Sequence, residues 1–275
     1  MPLMSKIKYR TFRCFVFGVF ALLMSSCGTT EEAYVERPVE ELYNIAMNDL
    51  ANGSYAEATK GFDEVERQHP YSVWATRAQI MSAYAYYNNM DYDEATIAVD
   101  RFIKLHPGHQ DVAYAYYLKA ISYYEQISDI RRDQKITLMA LQSLEEVVRR
   151  FPDTQYARDS LLKIDLANDH LAGKEMDIGR YYLVRNNYIA AINRFRRVIE
   201  RFQTTTHVPE ALHRLTESYL ALGVIQEART AAAVLGYNFP GSPWYADSYA
   251  LLQEKQLQPN TDENSWISQA FDGIF

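Results

Sequence analysis

Gly53-Ser54-Tyr55-Ala56-Glu57-Ala58, with Phe62 four residues on and Pro70 eight beyond that, decides the fold, because the chain says it again. Asp91-Tyr92-Asp93-Glu94-Ala95 repeats the aromatic and the alanine, and Pro107 again stands twelve residues after the alanine. Ala140 and Pro152 keep that spacing. Asn187-Tyr188-Ile189-Ala190-Ala191 repeats it with Phe195, although Gln203 occupies the proline position. Gly223, Ala228 and Pro240 close the series, with Tyr219 in the segment before it. Self-similarity of this kind marks stacked supersecondary units. Each unit reads as a helical hairpin. The alanine sits where two helices approach too closely for a larger side chain, and the aromatic ring wedges into the hairpin. The proline ends the second helix, since it has no amide hydrogen and disfavours helix at the residue before it. One hairpin cannot bury its apolar faces alone, so neighbours stack into a solenoid. The expectation is an all-α solenoid of about five helical hairpins. Strand content should be near zero, because no window alternates with turn punctuation.

The spacing resembles that of the tetratricopeptide repeat, and five copies make the likeness specific. Two units are stretched. The third carries a charged insertion around Gln126 to Lys135, with Asp129, Arg131, Arg132 and Asp133, expected as a loop or irregular helix. The fourth opens with a long helical stretch from Tyr156 to Tyr182, with an interruption expected near Ala172-Gly173.

The N-terminus reads as a targeting segment. Lys6, Lys8, Arg10 and Arg13 precede an apolar run from Phe15 to Met24. That run is far short of the about 20 residues a bilayer span needs. Ser25, Ser26 and Cys27 follow, the layout of a secretory signal. A cysteine directly after small residues resembles a bacterial lipoprotein signal, in which the cysteine is lipidated and becomes the first residue. Cys14 falls in the removed segment, so Cys27 would be the one cysteine left and no disulfide framework is possible. Losing residues 1–26 removes four basic and no acidic residues, which takes the formal charge from −7 to −11. That sign argues against nucleic acid, whose binding rests on cationic contacts to phosphate. Membrane association is therefore expected from acyl chains rather than from basic residues. The expected organisation is a signal at 1–26, a lipidated tether at 27–37, repeats one to three at 38–153, repeats four and five at 154–255, and a tail at 256–275.

Longer runs carry a more particular likeness. They are Ala83-Tyr84-Ala85-Tyr86-Tyr87-Asn88-Asn89, Val99 to Pro107, Arg132-Asp133-Gln134, Arg150 to Ala157, Lys174-Glu175, Gly179-Arg180-Tyr181-Tyr182 and Ala191-Ile192-Asn193-Arg194-Phe195. With the lipidated N-terminus and the five repeats, they resemble the BamD family, lipoproteins of the outer-membrane β-barrel assembly machine. Gln203 and the segment after Lys255 depart from the family pattern. The resemblance implies a scaffold without enzymatic activity on the periplasmic side of the outer membrane. It would bind the periplasmic domains of BamA, other lipoproteins of the machine, and unfolded outer-membrane β-barrel precursors. It also implies that repeats one to three take the precursor and repeats four and five hold the partner. Arg194 falls on a family arginine that contacts BamA, and Arg197 on the same predicted helix is its candidate companion. From the residues alone, both could equally belong to a solvated helix face with Arg196, Arg201 and Glu200. A lipid-anchored adaptor for cell-wall synthesis or division enzymes is the alternative that the repeat fold alone would allow.

Tyrosine is abundant, 22 of 275 residues. Tyr84, Tyr86 and Tyr87 share one predicted helix, and Tyr114, Tyr116 and Tyr117 the next unit's first helix. Residues at i, i+2 and i+3 cannot all face one way, so some are core wedges and some line a surface. Tyr84, Tyr87, Tyr114 and Tyr117 are the candidates for a substrate groove. Catalytic constellations fail. His106-Pro107-Gly108-His109 reads as a turn, since no third ligand accompanies the pair. Asp165, Asp169 and His170 have no nucleophile beside them. No metal and no cofactor is expected. In the tail, Trp266, Ala270, Phe271, Ile274 and Phe275 share one helical face, whereas a strand reading aligns Ile267, Phe271 and Phe275. Docking on the last repeat is expected; a partner-binding peptide and a plug of the groove are the other placements.

Overall fold

The computed structural model describes residues 36–271. The signal segment, Cys27, the tether up to Val35 and the tail residues Ile274 and Phe275 lie outside the described residues. Twelve helices follow one another with no strand among the described residues. They are α1 (Val39–Ala51), α2 (Tyr55–Gln68), α3 (Val73–Asn88), α4 (Tyr92–Leu105), α5 (Val112–Tyr124) and α6 (Lys135–Arg150). Then come α7 (Gln155–Val184), α8 (Tyr188–Arg201), α9 (Val208–Leu222), α10 (Ile225–Asn238), α11 (Pro243–Glu254) and α12 (Trp266–Phe271). Helices α1 to α10 form five hairpins, each packed on the next.

The repeated residues do what their spacing requires. Ala58, Ala95, Ala140, Ala191 and Ala228 are all fully buried, as are the wedge rings Phe62 and Phe195. In α8 the buried residues Ala191, Ile192, Phe195, Val198 and Ile199 recur every three or four positions, the apolar stripe of a surface helix. After Pro70 and Pro152 the next helices begin on hydroxyl caps. Ser72 Oγ accepts from the Ala75 amide at 3.0 Å, and Thr154 Oγ1 from the Ala157 amide at 3.2 Å. Each satisfies one of the amides that a helix start leaves unpaired.

Where helices come closest, side chains shrink. A methyl on Gly179 would stand 2.4 Å from the Phe195 ring, so only glycine lets that ring seat against α7. The cores follow the hairpins. The first three hairpins bury separate clusters, whereas Met176, Phe195, Leu215, Val234 and Ile267 belong to a single larger one. Helix α11 covers the last hairpin with Leu252 and Ser248 buried, the terminal cap a solenoid needs.

The interruption expected at Ala172-Gly173 is absent. Helix α7 runs unbroken for 30 residues with both of these residues buried inside it. Gly173 serves a close approach instead: a Cβ there would lie 3.2 Å from His207 Nε2 and 3.6 Å from Ile130. Ile130 belongs to the charged insertion, which is the loop between α5 and α6. Gln134 Nε2 donates to the carbonyls of Ile130 and Arg132 at 3.2 and 3.0 Å and so fixes the loop from within. The tail is a helix docked on the chain itself. Ile267, which the predicted helical face leaves out, is fully buried, and Phe271 nearly so.

Candidate functional site

The first helices of hairpins two, three and four lie side by side, and their tyrosines meet there. Tyr84 and Tyr87 on α3 and Tyr114 and Tyr117 on α5 are half-buried around one shared core. The i+2 tyrosines leave this face. The Tyr86 hydroxyl reaches Asp63 at 3.5 Å, and the Tyr116 ring packs on Phe151 and under the Arg150 guanidinium. Helix α7 completes the cluster. Tyr156 stacks at 5.6 Å on Tyr114 and at 5.2 Å on Tyr117, centroid to centroid.

Hydroxyls and acids tie the cluster together. Tyr117 Oη donates to Asp159 at 2.6 Å, and Lys163 Nζ donates to the same carboxylate oxygen at 2.8 Å. Burial alone would raise the Asp159 pKa, but these two bonds outweigh it and hold it below the ordinary aspartate value. Burial pushes Tyr87 up to about 12, with the Glu125 carboxylate adding to it. Tyr114 and Tyr117 are raised as well, first by burial, then by the neighbouring tyrosines and by Asp159 respectively. The hydroxyls of Tyr87, Tyr114 and Tyr117 therefore stay protonated donors across the physiological range.

The candidate arginines meet at a different place. Arg194 Nη1 donates to Glu175 Oε2 at 3.1 Å, and Arg197 Nη1 to Glu175 Oε1 at 3.3 Å. Two guanidiniums share one carboxylate of α7, so the trio carries a net positive charge at a half-exposed position. Arg196 points elsewhere, onto the Trp266 ring, and Arg201 is exposed. Nearby, Arg180 grips Glu210 with two bonds, 2.8 and 2.5 Å, and so bridges α7 to α9.

Sequence reasoning missed Tyr156, Asp159, Lys163 and Glu175. The first three stand at i, i+3 and i+7 of one helix, a spacing that would have placed them on one face. Among the described residues no group of His, Cys, Asp and Glu could hold a metal ion, and no helix is long and apolar enough to cross a membrane.

Residues 35–235 match the family model YfiO, described as outer membrane lipoprotein. The chain is 55% identical over 226 residues to a protein of Caulobacter vibrioides named outer membrane protein assembly factor BamD, covering 82% of this chain and 74% of that one. A Rickettsia prowazekii protein of the same name is 46% identical over 239 residues, covering 86% of this chain and 95% of its own. The crystal structure of PilW, a type IV pilus biogenesis factor, aligns with 78% of this chain and 99% of its own at 15% identity, with a TM-score of 0.26.

Proposed function

From the premise that the chain belongs to the BamD family of outer membrane protein assembly factors, we propose that it is a non-enzymatic scaffold of outer-membrane β-barrel assembly. The observation that carries this reading is the 55% identity, over 226 residues, to a protein named for that role. In this reading Cys27 bears the lipid that holds the protein to the outer membrane, and residues 39–271 work on the periplasmic side. Unfolded barrel precursors are taken along the tyrosine row of α3, α5 and α7. Its half-buried rings offer contact area and its hydroxyls offer polar tips, which suits an extended peptide with alternating apolar and polar residues.

BamA, the barrel-forming partner, binds in this reading at α8. Arg194 and Arg197 share Glu175, and the positive charge left over favours an acidic partner surface. The test is a gentle detergent pull-down of the full-length lipoprotein from its own envelope. Arg194→Glu and the neutral Arg194→Gln accompany it, because the glutamate would also face Glu175. A BamA-type barrel should come down with the unmodified chain, less with Arg194→Gln and least with Arg194→Glu, all three chains having the same helix content. Equal recovery of the barrel from all three would remove α8 from the partner site. Recovery of wall or division enzymes in place of a barrel would overturn the assembly reading altogether.

A further inference from the structure

Two networks of arginine and glutamate join α7 to its neighbours, and one of them balances. In it, Arg180 grips Glu210 through two nitrogens, and Arg214 reaches Glu210 at 3.4 Å and Glu217 at 2.9 Å. Two guanidiniums meet two carboxylates, and no charge is left over. In the other network, Arg194 and Arg197 share the single carboxylate of Glu175. Neighbouring acids are engaged elsewhere. Glu200, the one acid of α8, is taken by Arg196 at 2.6 Å, and Asp177 faces Arg131 at 3.9 Å.

This second network has two tiers. The Glu175 side chain is the inner one, 17% exposed, against 28% for Arg194 and 51% for Arg197. Each arginine gives it one nitrogen, Nη1, and each takes a different oxygen. The Nε and Nη2 groups of both arginines are left without a protein acceptor among the described residues. Two long cationic side chains about one helical turn apart repel each other and spread. A carboxylate beneath both offsets that repulsion and fixes where the guanidiniums sit.

We propose that Glu175 is the positioning residue of a carboxylate-binding site. It holds Arg194 and Arg197 as a ready pair, and an acidic side chain of the partner protein supplies the second carboxylate that this network lacks. The proposal rests on reading α8 as partner-facing, and it adds the chemistry of the partner's contact group and a task for Glu175. The opposite task, an internal competitor that the partner must displace, is the weaker effect. Taking away the Glu175 charge strengthens attraction at so exposed a position by at most about fivefold. Ordering a long side chain afresh costs association about two- to tenfold, and here there are two. Positioning therefore outweighs competition.

The test is Glu175→Gln in the full-length chain, immobilised in mild detergent, with the purified BamA-type barrel of the same envelope flowed over it. Glutamine keeps the size and one acceptor oxygen, but its amide puts a donor against a donor, so one arginine is turned away. Dissociation should quicken and affinity fall about tenfold. Association at low salt should hold or rise, because the site has gained positive charge. Tighter binding would make Glu175 a competitor, and unchanged binding a bystander; either result overturns the proposal. A cycle with Arg194→Gln separates positioning from general support of the fold. With Arg194 already replaced, Glu175→Gln should cost less than about threefold, since Glu175 acts through that arginine; an undiminished loss overturns the proposal. The two readings also part here. If Arg194→Gln weakens the barrel and Glu175→Gln does not, this proposal falls alone; if Arg194→Gln changes nothing, it falls together with the partner-facing reading of α8. A measurement on the unmodified chain stands even if Glu175→Gln loses helix content. Side-chain NMR relaxation should find the Nε–H groups of Arg194 and Arg197 ordered before any partner is added, and that of the exposed Arg201 mobile. Equal mobility of all three would mean that no pair is held ready, and the proposal would fall.

Discussion

The two ends of the solenoid are built from the same repeat and finished differently. In hairpins two to four the row of first helices is joined by tyrosines, whose rings and hydroxyls leave a half-buried, hydrogen-bonding surface. Toward the last hairpin the same kind of junction is closed by the bidentate Arg180–Glu210 pair. The first two hairpins have a cavity between α2, α3 and α4, while α12 packs into the core of the last two hairpins. The repeat sets where hairpins meet, and the side chains at a few positions decide how each junction is closed. Closing also merges cores: hairpins four and five and the tail share one cluster, whereas each early hairpin keeps its own.

The sharpest way to break this contrast is to empty both ends alike. Phe62→Ala and Phe195→Ala remove the same wedge, and each should cost about 3–5 kcal/mol by transfer and cavity terms. Because stability in a solenoid passes between neighbours, Phe195→Ala should also strip hydrogen-exchange protection from residues 266–271. Phe62→Ala should leave that protection as it was. Equal loss in both variants would mean the cores are not separate.

A smaller effect tests the close approach at the sealed end. Gly179→Ala puts a methyl 2.4 Å from the Phe195 ring, and overpacking of this kind costs about 1–3 kcal/mol. Ala46, twelve residues before the repeat alanine Ala58 as Gly179 is before Ala191, already carries that methyl and faces Gly61. Urea unfolding of Gly179→Ala beside Ala46→Gly would show whether the two ends divide the space differently.

The smallest effect is electrostatic. Burial alone would raise the Glu210 pKa, but the Arg180 and Arg214 guanidiniums outweigh it and hold the carboxyl below its ordinary 4.5. The stability it gives is therefore fully present above pH 4.5 and is lost as the pH falls below that. At neutral pH, Glu210→Gln should cost about 1 kcal/mol, a modest figure because Arg180 is partly exposed. The variant and the unmodified chain should converge as the pH falls through the acid range, measured by denaturant midpoints. A gap that stays constant with pH would mean the pair is structural packing rather than charge.

Much of this architecture is legible in the sequence. The five alanines, the wedge rings and the proline turns are local signals, and the buried positions are the ones their spacing implies. The pairing of Tyr84 with Tyr87 and of Tyr114 with Tyr117 follows from helical geometry alone. Gly173 misleads because glycine weakens a helix in isolation, while here it makes room for His207 and Ile130, which are close only in space. Gln203 is silent for the same reason: the Ala270 carbonyl to which its side chain donates is 67 residues away. Glu175 stands in the Lys174-Glu175 pair that marks the family likeness, yet its role depends on two arginines of the next helix.

Helix α7 has a mechanical consequence. Its 30 residues make a rod about 45 Å long at about 1.5 Å per residue. One stretch of it carries Tyr156 and Asp159, the other Glu175. A load applied at the tyrosine row cannot be relaxed at a hinge between the two, because each residue between them is locked in the same ladder of backbone hydrogen bonds. Tyr156, Asp159 and Glu175 therefore keep a fixed spacing along one continuous helix, so the tyrosine cluster and the Glu175–Arg194–Arg197 trio share a single frame.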